Sequence, residues 1–234
     1  MNKILLIICG SIAASRCEQV IKLLNYNNFK TSCILTEEGK KYVRISNIKK
    51  LVNNRIFTDK SEIKNKMLHI NLSRENDLIV VFPATANTIA KFANGYGDNL
   101  ASNTLLAANK NILFAPAMNS YMWKNKANQK NISILKKRGH EFIGPKIGNL
   151  KCGEFGIGRV ENSETILNVI TRKLENFNLL KNKKCLVTAG PTVEMIDPIR
   201  YISNKSSGKQ GYEIASQLVL YGAKVILVSG PTNL

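Results

Sequence analysis

Apolar runs of strand length alternate along the chain with segments whose apolar residues recur at helical spacing. The first run, residues 4–9, leads into apolar residues that lie three or four positions apart as far as Leu24. Continuous apolar runs are typical of strands that are covered on both faces. The same pattern predicts strands at 31–35, 77–82, 112–115 and 141–143. Such alternation predicts an α/β fold with a doubly wound parallel sheet, Rossmann-like in type.

The segments between these strands divide into helical and loop patterns. Pro83 and Pro116 are predicted to end the strands that precede them, because proline lacks the N–H that a strand donates. Residues 144–158 contain five glycines and a proline, which predicts a mobile loop. Helices are predicted at 37–53, 99–108 and 121–138, and after a cap at Thr85.

A basic, asparagine-rich stretch at 178–184 interrupts this pattern and predicts a linker. After it the sequence predicts a strand at 185–188, a polar loop, a helix at 208–221 and a strand at 224–229. One strand–helix–strand unit is a supersecondary structure and not a domain. We therefore predict one domain at 1–177 and the beginning of a second α/β domain at 185–234.

The formal net charge is +18, from 34 Lys and Arg residues against 16 Asp and Glu residues. Such a balance can indicate an anionic partner, such as nucleic acid or an acidic membrane. The lysines are scattered along the chain among many asparagines and isoleucines, which favours a bias of composition over one basic face. No apolar run approaches the ~18 residues that span a bilayer. We therefore expect neither a nucleic-acid partner nor a membrane partner.

The five cysteines are widely spaced, and no two of them have the CxxC spacing of a zinc site. Their odd number also argues against a disulfide framework and fits a reducing cytoplasm. The apolar run at 4–9 resembles a short secretion signal, but Arg16 stands before Cys17 where processing needs a small residue. We therefore interpret this run as a buried first strand and expect a cytoplasmic protein.

Gly10 and Ser11 occupy the turn between the first predicted strand and the first helix. The turn lacks the GxGxxG of dinucleotide-binding folds. A glycine still lets backbone amides approach a phosphate, and the start of a helix adds positive potential there. The turn indicates a ligand with a single phosphate, such as FMN; the alternative is an ordinary strand-to-helix turn.

Two more polar segments follow predicted strands. Thr85, Asn87 and Thr88 come after one strand, and Asn119 comes after the next. Ligands of open α/β sheets bind at the carboxyl ends of the strands, so the two segments support each other as ligand-binding loops. The alternatives are simple helix capping by Thr85 and a turn role for Asn119.

Two reactive side chains stand out. Cys152 lies in a glycine-rich segment beside Lys151 and near Arg159, and neighbouring cations favour the thiolate. The alternative is an inert loop thiol. His69 is one of two histidines, and a lone histidine is also compatible with a structural role, which we assign to His140.

The polar loop at 203–211 lies between a predicted strand and helix and is a candidate phosphate cradle. It does not have the GxxxxGK[ST] pattern of a P-loop. Its candidate residues are Asn204, Ser206, Ser207, Gly208 and Lys209.

Together these segments closely resemble the bacterial bifunctional coenzyme A biosynthesis flavoproteins. In that family phosphopantothenoylcysteine decarboxylase is fused to phosphopantothenate–cysteine ligase. The resemblance runs from Lys3 to the last residue. In the first part it rests on Gly10–Ser11, His69, 86–88, 98–100, 116–119, 122–123, 152–153 and 156–159. In the second part it rests on 188–192, 197–198, 200–204 and 206–209.

The resemblance implies an FMN enzyme that needs no metal for decarboxylation of 4'-phosphopantothenoylcysteine to 4'-phosphopantetheine. FMN would oxidise the carbon that bears the thiol to a thioaldehyde, so that the carboxylate is β to a C=S group and leaves as CO₂. His69 would activate the substrate, Asn119 would bind its reacting end, and Cys152 would supply the final proton. The residues implied to hold FMN are Gly10, Ser11, Thr36, Thr85, Asn87, Thr88 and Ala117.

The resemblance also implies a homo-oligomer built on trimers, with the flavin between subunits, and a phosphorylated small-molecule substrate. A complete ligase would use Mg²⁺ and CTP, with Asn204 handling the acyl-nucleotide intermediate. The family's ligase continues beyond the length of this chain, so we expect a ligase fragment without ligase activity. Thr85, Val160 and Gln210 depart from the family's usual residues without removing a reacting group.

Two other interpretations of the sequence, both as a flavin-binding protein, remain open. A flavin prenyltransferase would share the turn and the sheet but would not need the Asn119 motif, the Cys152 segment or a ligase start. A flavin-binding regulatory subunit would not need His69, Asn119 and Cys152 together.

Overall fold

The computed structural model describes residues 2–53, 55–64, 67–151, 153–176 and 179–234. The chain divides into two compact units, Met1–Val169 and Ile170–Leu234. The predicted domain bounds, with a linker at 178–184, stay a prediction.

A six-stranded parallel sheet forms the centre of the first unit, in the order β3-β2-β1-β4-β5-β6. The strands of this sheet are β1 Lys3–Ile8, β2 Lys30–Leu35, β3 Ile56–Phe57, β4 Leu78–Ala84, β5 Ile112–Pro116 and β6 Glu141–Phe142. An antiparallel hairpin follows, made of β7 Lys146–Asn149 and β8 Phe155–Arg159. The predicted doubly wound parallel sheet is confirmed.

Helices connect these strands. They are α1 Cys17–Tyr26, α2 Ile45–Leu51, α3 Asp59–Lys64, α4 Leu68–Glu75, α5 Ala86–Ala93, α6 Leu100–Leu106, α7 Ser120–Lys124, α8 Lys126–Lys137 and α9 Ser163–Asn176. The first unit also contains two short 3-10 helices, Ile12–Arg16 and Gly39–Tyr42. Among the described residues no helix is both long and apolar enough to cross a bilayer.

The core of the first unit lies on the central strands. Every residue of β4 and β5 is buried, as the continuous apolar runs predict for strands covered on both faces. Phe114 of β5 stacks on Phe92 of α5 with ring centroids 5.9 Å apart. His140 lies 5.0 Å from Phe92 and accepts a hydrogen bond from the Ile112 N–H at Nδ1, which gives it the expected structural role.

Pro83 lies inside its strand, so the prediction that it ends β4 is wrong, whereas β5 does end at Pro116. Strand β4 continues through Pro83 to Ala84, and β5 includes Pro116. The pairing of β4 with β5 shifts register between Val81 and Ala84. This irregularity lets the sheet continue past a residue that cannot donate a ladder hydrogen bond.

Three other predicted segments differ from the structure. The predicted helix at 121–138 is two helices, because Asn125 is extended and its side chain caps α8 by accepting from the Ala127 N–H. The segment 144–158 is mostly the β7–β8 hairpin and not an irregular loop. Strand β3 lies in a segment for which no element was predicted, and the predicted helix at 37–53 is a 3-10 helix followed by α2.

The second unit contains a parallel strand pair, a helix and a small hairpin. Its elements are β9 Lys184–Ala189, β10 Val193–Met195, β11 Tyr201–Ser203, α10 Lys209–Leu220 and β12 Lys224–Ser229. Strand β12 pairs with β9 in parallel, and β10 pairs with β11 in antiparallel fashion. The strand–helix–strand pattern was predicted; the hairpin within the polar loop was not.

Candidate functional site

The candidate site lies where the strand order of the central sheet reverses. Strands β1 and β4 are neighbours, although two strands and several helices separate them along the chain. Crossovers therefore leave this point in opposite directions, which opens a crevice at the carboxyl ends of the strands. The segments that follow β1, β4 and β5 carry the predicted ligand-binding residues.

A cavity of about 470 Å³ occupies this crevice. All seven residues implied to hold FMN line it, namely Gly10, Ser11, Thr36, Thr85, Asn87, Thr88 and Ala117. They come from the ends of four different strands, so the fold brings together residues that are far apart in the sequence. The volume is within the range of about 300–1,000 Å³ of ordinary ligand sites.

The turn after β1 has room for glycine alone at position 10. A Cβ built on Gly10 would lie 2.4 Å from the Cβ of Glu38. The next side chain, Ser11, caps the 3-10 helix by accepting a 3.3 Å hydrogen bond from the Ala13 N–H. Thr36 stabilises the loop after β2, because its hydroxyl donates to the Ile8 carbonyl and accepts from the Gly39 N–H, each at 3.1 Å.

The wall beside α5 is a network of hydroxyl groups and a buried thiol. Thr85 caps α5 by accepting from the Thr88 N–H at 3.3 Å, as predicted. The Thr88 hydroxyl lies 3.1 Å from that of Thr85 and donates to the sulfur of Cys9 at 3.2 Å. Burial raises the pKa of Cys9 to about 11, so its thiol is neutral at physiological pH. The exposed Asn87 amide makes no hydrogen bond within the described chain.

Acidic side chains also reach this cavity, but each has a partner. Asp59 accepts from the Leu100 N–H at 2.8 Å and thereby helps to cap α6. Glu38 accepts from Lys41 at 2.7 Å, and Glu37 pairs with Lys40. Since these carboxylates are engaged, they do not make the wall a cation site. No group of three or more metal-binding side chains occurs in the described parts of the chain.

A second cavity of about 690 Å³ adjoins the first, and both are lined by Ser11, Ala117 and Met118. Asn119 lies in the wall of this second cavity. Its amide donates a 2.6 Å hydrogen bond to the Glu154 carboxylate, and its oxygen accepts from the Tyr121 N–H at 2.7 Å. An asparagine held in this way presents its N–H to a carboxylate.

The β7–β8 hairpin is fixed against the loop that carries Asn119. The Met118 N–H donates to the Gly158 carbonyl at 3.0 Å, and the Ser120 hydroxyl donates to the Ile157 carbonyl at 2.7 Å. A Cβ on Gly158, which has a φ of 145°, would lie 2.1 Å from the Met118 carbonyl oxygen. Only glycine permits this approach.

Of the other two predicted catalytic residues, only His69 lies within the described part of the chain, and it is not placed with Asn119. His69 lies on α4, donates from Nδ1 to the Glu62 carboxylate at 2.5 Å, and is not among the residues that line either cavity. Cys152, in the connection between β7 and β8, lies outside the described residues.

Sequence reasoning missed the acidic partners of the candidate residues. Glu154 stands in the same glycine-rich segment as Cys152, and this proximity was the available signal. Glu62 precedes His69 by seven positions, a spacing that places two residues on one face of a continuous helix. Glu62 and His69 lie on two different helices, α3 and α4, so the spacing alone would not have established the contact.

The loop before α10 in the second unit is held by its own side chains. Asn204 accepts from the Ser206 N–H at 2.9 Å, and Ser206 accepts from the Gly208 N–H at 3.3 Å. Ser207 accepts from the Lys209 N–H at 3.4 Å, and Gly208 caps α10 with a φ of 77°. Of these five residues, Ser206 and Gly208 line a cavity of about 720 Å³ in this unit.

Both units match known protein families. Residues 1–175 match the family described as Flavoprotein, and residues 180–234 match the DNA/pantothenate metabolism flavoprotein C-terminal domain. The chain is 37% identical over 234 residues to the coenzyme A biosynthesis bifunctional protein CoaBC of Borreliella burgdorferi. That match covers 99% of this chain and 60% of the relative, so the chain spans about three-fifths of the relative's length.

Solved structures resemble the chain as well. A PPC decarboxylase mutant complexed with pantothenoylaminoethenethiol is 28% identical with a TM-score of 0.68, over 72% of this chain and 96% of that one. The FMN binding protein AtHal3 is 28% identical with a TM-score of 0.65, over 72% of this chain and 94% of that one.

Proposed function

Because the chain belongs to the Flavoprotein family, we propose that it binds FMN and decarboxylates 4'-phosphopantothenoylcysteine to 4'-phosphopantetheine, a step of coenzyme A biosynthesis. The observation that carries the proposal is the pair of adjoining cavities, one lined by the seven candidate FMN residues and the other by Asn119. The names of the similar proteins support the same activity. A flavin prenyltransferase gains no support from them.

The residues of the smaller cavity fit FMN. Gly10, where any side chain would meet Glu38, lines the cavity with backbone alone, and the wall offers the hydroxyls of Ser11, Thr85 and Thr88. The Asn87 amide, at the N-terminal turn of α5, is available to an incoming ligand. When bound, FMN supplies a reversible two-electron sink, which a cysteinyl carboxylate lacks.

Asn119 is proposed to bind the carboxylate of the substrate. In the structure its amide already donates to a carboxylate, that of Glu154. The substrate carboxylate would take the place of Glu154, so the same hydrogen bond would hold the group that leaves as CO₂. Asn119 is thereby assigned to positioning at the reacting end.

His69 and Cys152 are proposed to handle protons. The Glu62 carboxylate accepts from Nδ1 of His69 and so leaves Nε2 to take a proton during substrate activation. Cys152 would give the proton that completes the product; this role rests on the family resemblance.

We propose further that the chain forms a trimer-based homo-oligomer in the cytoplasm. His69 stands apart from the cavities of its own chain, as a residue that completes a neighbouring subunit's site would. Ile63 of α3 and Tyr96 after α5 expose 79% and 66% of their surface, which a second copy could cover. A monomeric mass by light scattering of the FMN-loaded chain would contradict this assembly.

The second unit is proposed to belong to a phosphopantothenate–cysteine ligase that uses CTP and Mg²⁺, with a domain boundary within 178–184. The match over residues 180–234 and the ordered loop from Asn204 to Lys209 support this. The test is whether the chain forms phosphopantothenoylcysteine when it is given phosphopantothenate, cysteine, CTP and Mg²⁺.

The decarboxylase proposal is tested by incubating the chain with 4'-phosphopantothenoylcysteine, with and without added FMN. Mass spectrometry should detect 4'-phosphopantetheine only when FMN is bound. Asn119→Asp, which removes the amide donor and adds a like charge beside the carboxylate, should keep FMN and lose turnover. A chain that binds FMN and leaves the substrate unchanged would overturn the proposal.

A further inference from the structure

Of the two adjoining cavities in the first unit, the larger one, of about 690 Å³, has an unbalanced charge. Three cations line it, Arg16, Lys151 and Arg159, while its described lining residues include no aspartate or glutamate and the nearby Glu154 carboxylate is engaged by Asn119. The net charge of +18 is otherwise spread over the sequence, so a concave surface lined by one sign of charge is a local feature. Concave walls of one sign concentrate the field and attract a ligand of the opposite sign.

None of the three cations is neutralised within the described residues. Within the part of the chain that the structure describes, no ion pair or side-chain hydrogen bond involves Arg16, Lys151 or Arg159. By contrast, Lys91 pairs with Asp98 at 2.5 Å, and Lys146, on the same hairpin, lies 3.7 Å from Glu161. Arg16 and Arg159 are also half-buried, whereas Lys151 is exposed.

The fold fixes the positions of the two arginines. Arg16 ends the short helix that begins after Ser11, so it lies one helix away from the FMN turn. Arg159 follows Gly158, whose close contact with Met118 holds β8 against the Asn119 loop. The two arginines therefore reach the cavity from two different elements of the fold.

We propose that this cavity binds the phosphate monoester of the substrate, with Arg16 and Arg159 as specificity-determining residues and Lys151 as a supporting cation. The inference rests on the proposed function. A phosphate monoester carries about −1.5 to −2 charges at pH 7 and three strong acceptor oxygens. Guanidinium groups bind such an anion through two parallel hydrogen bonds each.

The phosphate could belong to the substrate or to FMN. The cation-lined cavity contains Asn119, the proposed partner of the substrate carboxylate, in the same wall. Of the seven candidate FMN residues it contains only Ser11 and Ala117. The arrangement therefore assigns the cations to the substrate, whose carboxylate and phosphate would bind at two points of one cavity.

The test compares 4'-phosphopantetheine with pantetheine by calorimetry on the FMN-loaded chain. Arg16→Gln and Arg159→Gln should each weaken binding of the phosphorylated ligand by about 10- to 100-fold, as expected for loss of a hydrogen bond between charged groups. Binding of pantetheine should not change. Arg159→Lys should lose less than Arg159→Gln, and Arg172→Gln, at an exposed position outside the cavity, should lose nothing.

Three results would overturn the inference. Equal loss for both ligands would make the arginines structural, and no loss for either would remove them from the site. A larger FMN dissociation constant in the variants, which means weaker FMN binding, would assign the phosphate site to the cofactor. Decarboxylation by the unsubstituted chain is measured separately: if it is absent while the phosphorylated ligand is still preferred, the proposed function fails and the phosphate site stands.

Discussion

The Asn119 amide donates a 2.6 Å hydrogen bond to the carboxylate of Glu154, a residue 35 positions further along the chain. The bond joins the loop after β5 to the connection between β7 and β8, at the wall of the larger cavity. It places a protein carboxylate where the proposed substrate carboxylate would bind. Glu154 must therefore give up this contact when the substrate enters.

Substitution of Glu154 by glutamine should lower the KM for 4'-phosphopantothenoylcysteine. The neutral amide competes less well for Asn119, and because the contact is exposed we expect an effect of about two- to fivefold. Steady-state kinetics with FMN saturating measures it. The exposed Glu213→Gln, on α10, is the matched control, and a KM that stays the same or rises would show that Glu154 does not compete.

Replacement of Gly10 by alanine should abolish FMN binding. The new Cβ would lie 2.4 Å from the Cβ of Glu38, so the loops on both sides of the cavity must move. Flavin absorbance of the purified variant, together with a thermal unfolding curve, separates loss of the site from loss of the fold. The double variant Gly10→Ala/Glu38→Gly removes the contacting Cβ and should recover part of the binding; tight FMN binding by Gly10→Ala itself would refute the close approach.

Substitution of Glu62 or His69 should lower the turnover number, kcat, and leave substrate binding unchanged. His69→Asn should lower kcat by about 100-fold or more, as loss of a general base does. Glu62→Gln keeps a side chain of the same shape but weakens the hydrogen bond to Nδ1 of His69. The kcat of this variant should therefore fall less than that of His69→Asn, while its KM stays constant. Glu75→Gln, at the exposed end of α4, is the control; a Glu62→Gln effect confined to KM would contradict a positioning role.

The pH dependence of stability should include a contribution from His140. Burial, and secondarily Arg138, lower the pKa of His140 below its usual value in the folded chain. The folded state thus binds fewer protons than the unfolded state below about pH 6.5, and its stability falls as the pH drops through that range. Protonation of Nδ1 would also break the bond from the Ile112 N–H.

Denaturant unfolding at pH 8 and pH 5, followed by the fluorescence of the single tryptophan, Trp123, measures this contribution. Trp123 packs against the core of the first unit, so its signal reports that unit. His140→Gln retains a hydrogen-bond acceptor and should show a smaller loss of stability at pH 5. An equal loss in both proteins would exclude His140 as a source.

The sequence predicts the central strands well because each is buried on both faces and reads as one apolar run. The short strands β3, β10 and β11 have two or three residues and leave no periodic signal. The β7–β8 hairpin was missed because its glycines are typical of loops. They are needed here for contact with the Asn119 loop, which is a tertiary requirement.

The candidate site was predictable to the extent that its residues follow strands. Parallel strands bring their carboxyl ends to one edge, so Ser11, Thr85 and Asn119 could be expected near each other. Partners from distant segments could not be predicted, and Glu154 beside Asn119 is one of them. The position of Arg16 in the cavity wall was also hidden, because in a lysine-rich sequence a lining cation looks the same as an exposed one, and Arg159 was singled out only as a cation near Cys152.

The most direct test of FMN-dependent decarboxylation follows the carboxyl carbon itself. The chain is loaded with FMN and given 4'-phosphopantothenoylcysteine that carries an isotope label in the cysteine carboxyl group. We expect the label to appear in CO₂, with unlabelled 4'-phosphopantetheine as the product, and no labelled CO₂ from the chain stripped of FMN. Label that stays in the organic fraction while FMN is bound would contradict the account.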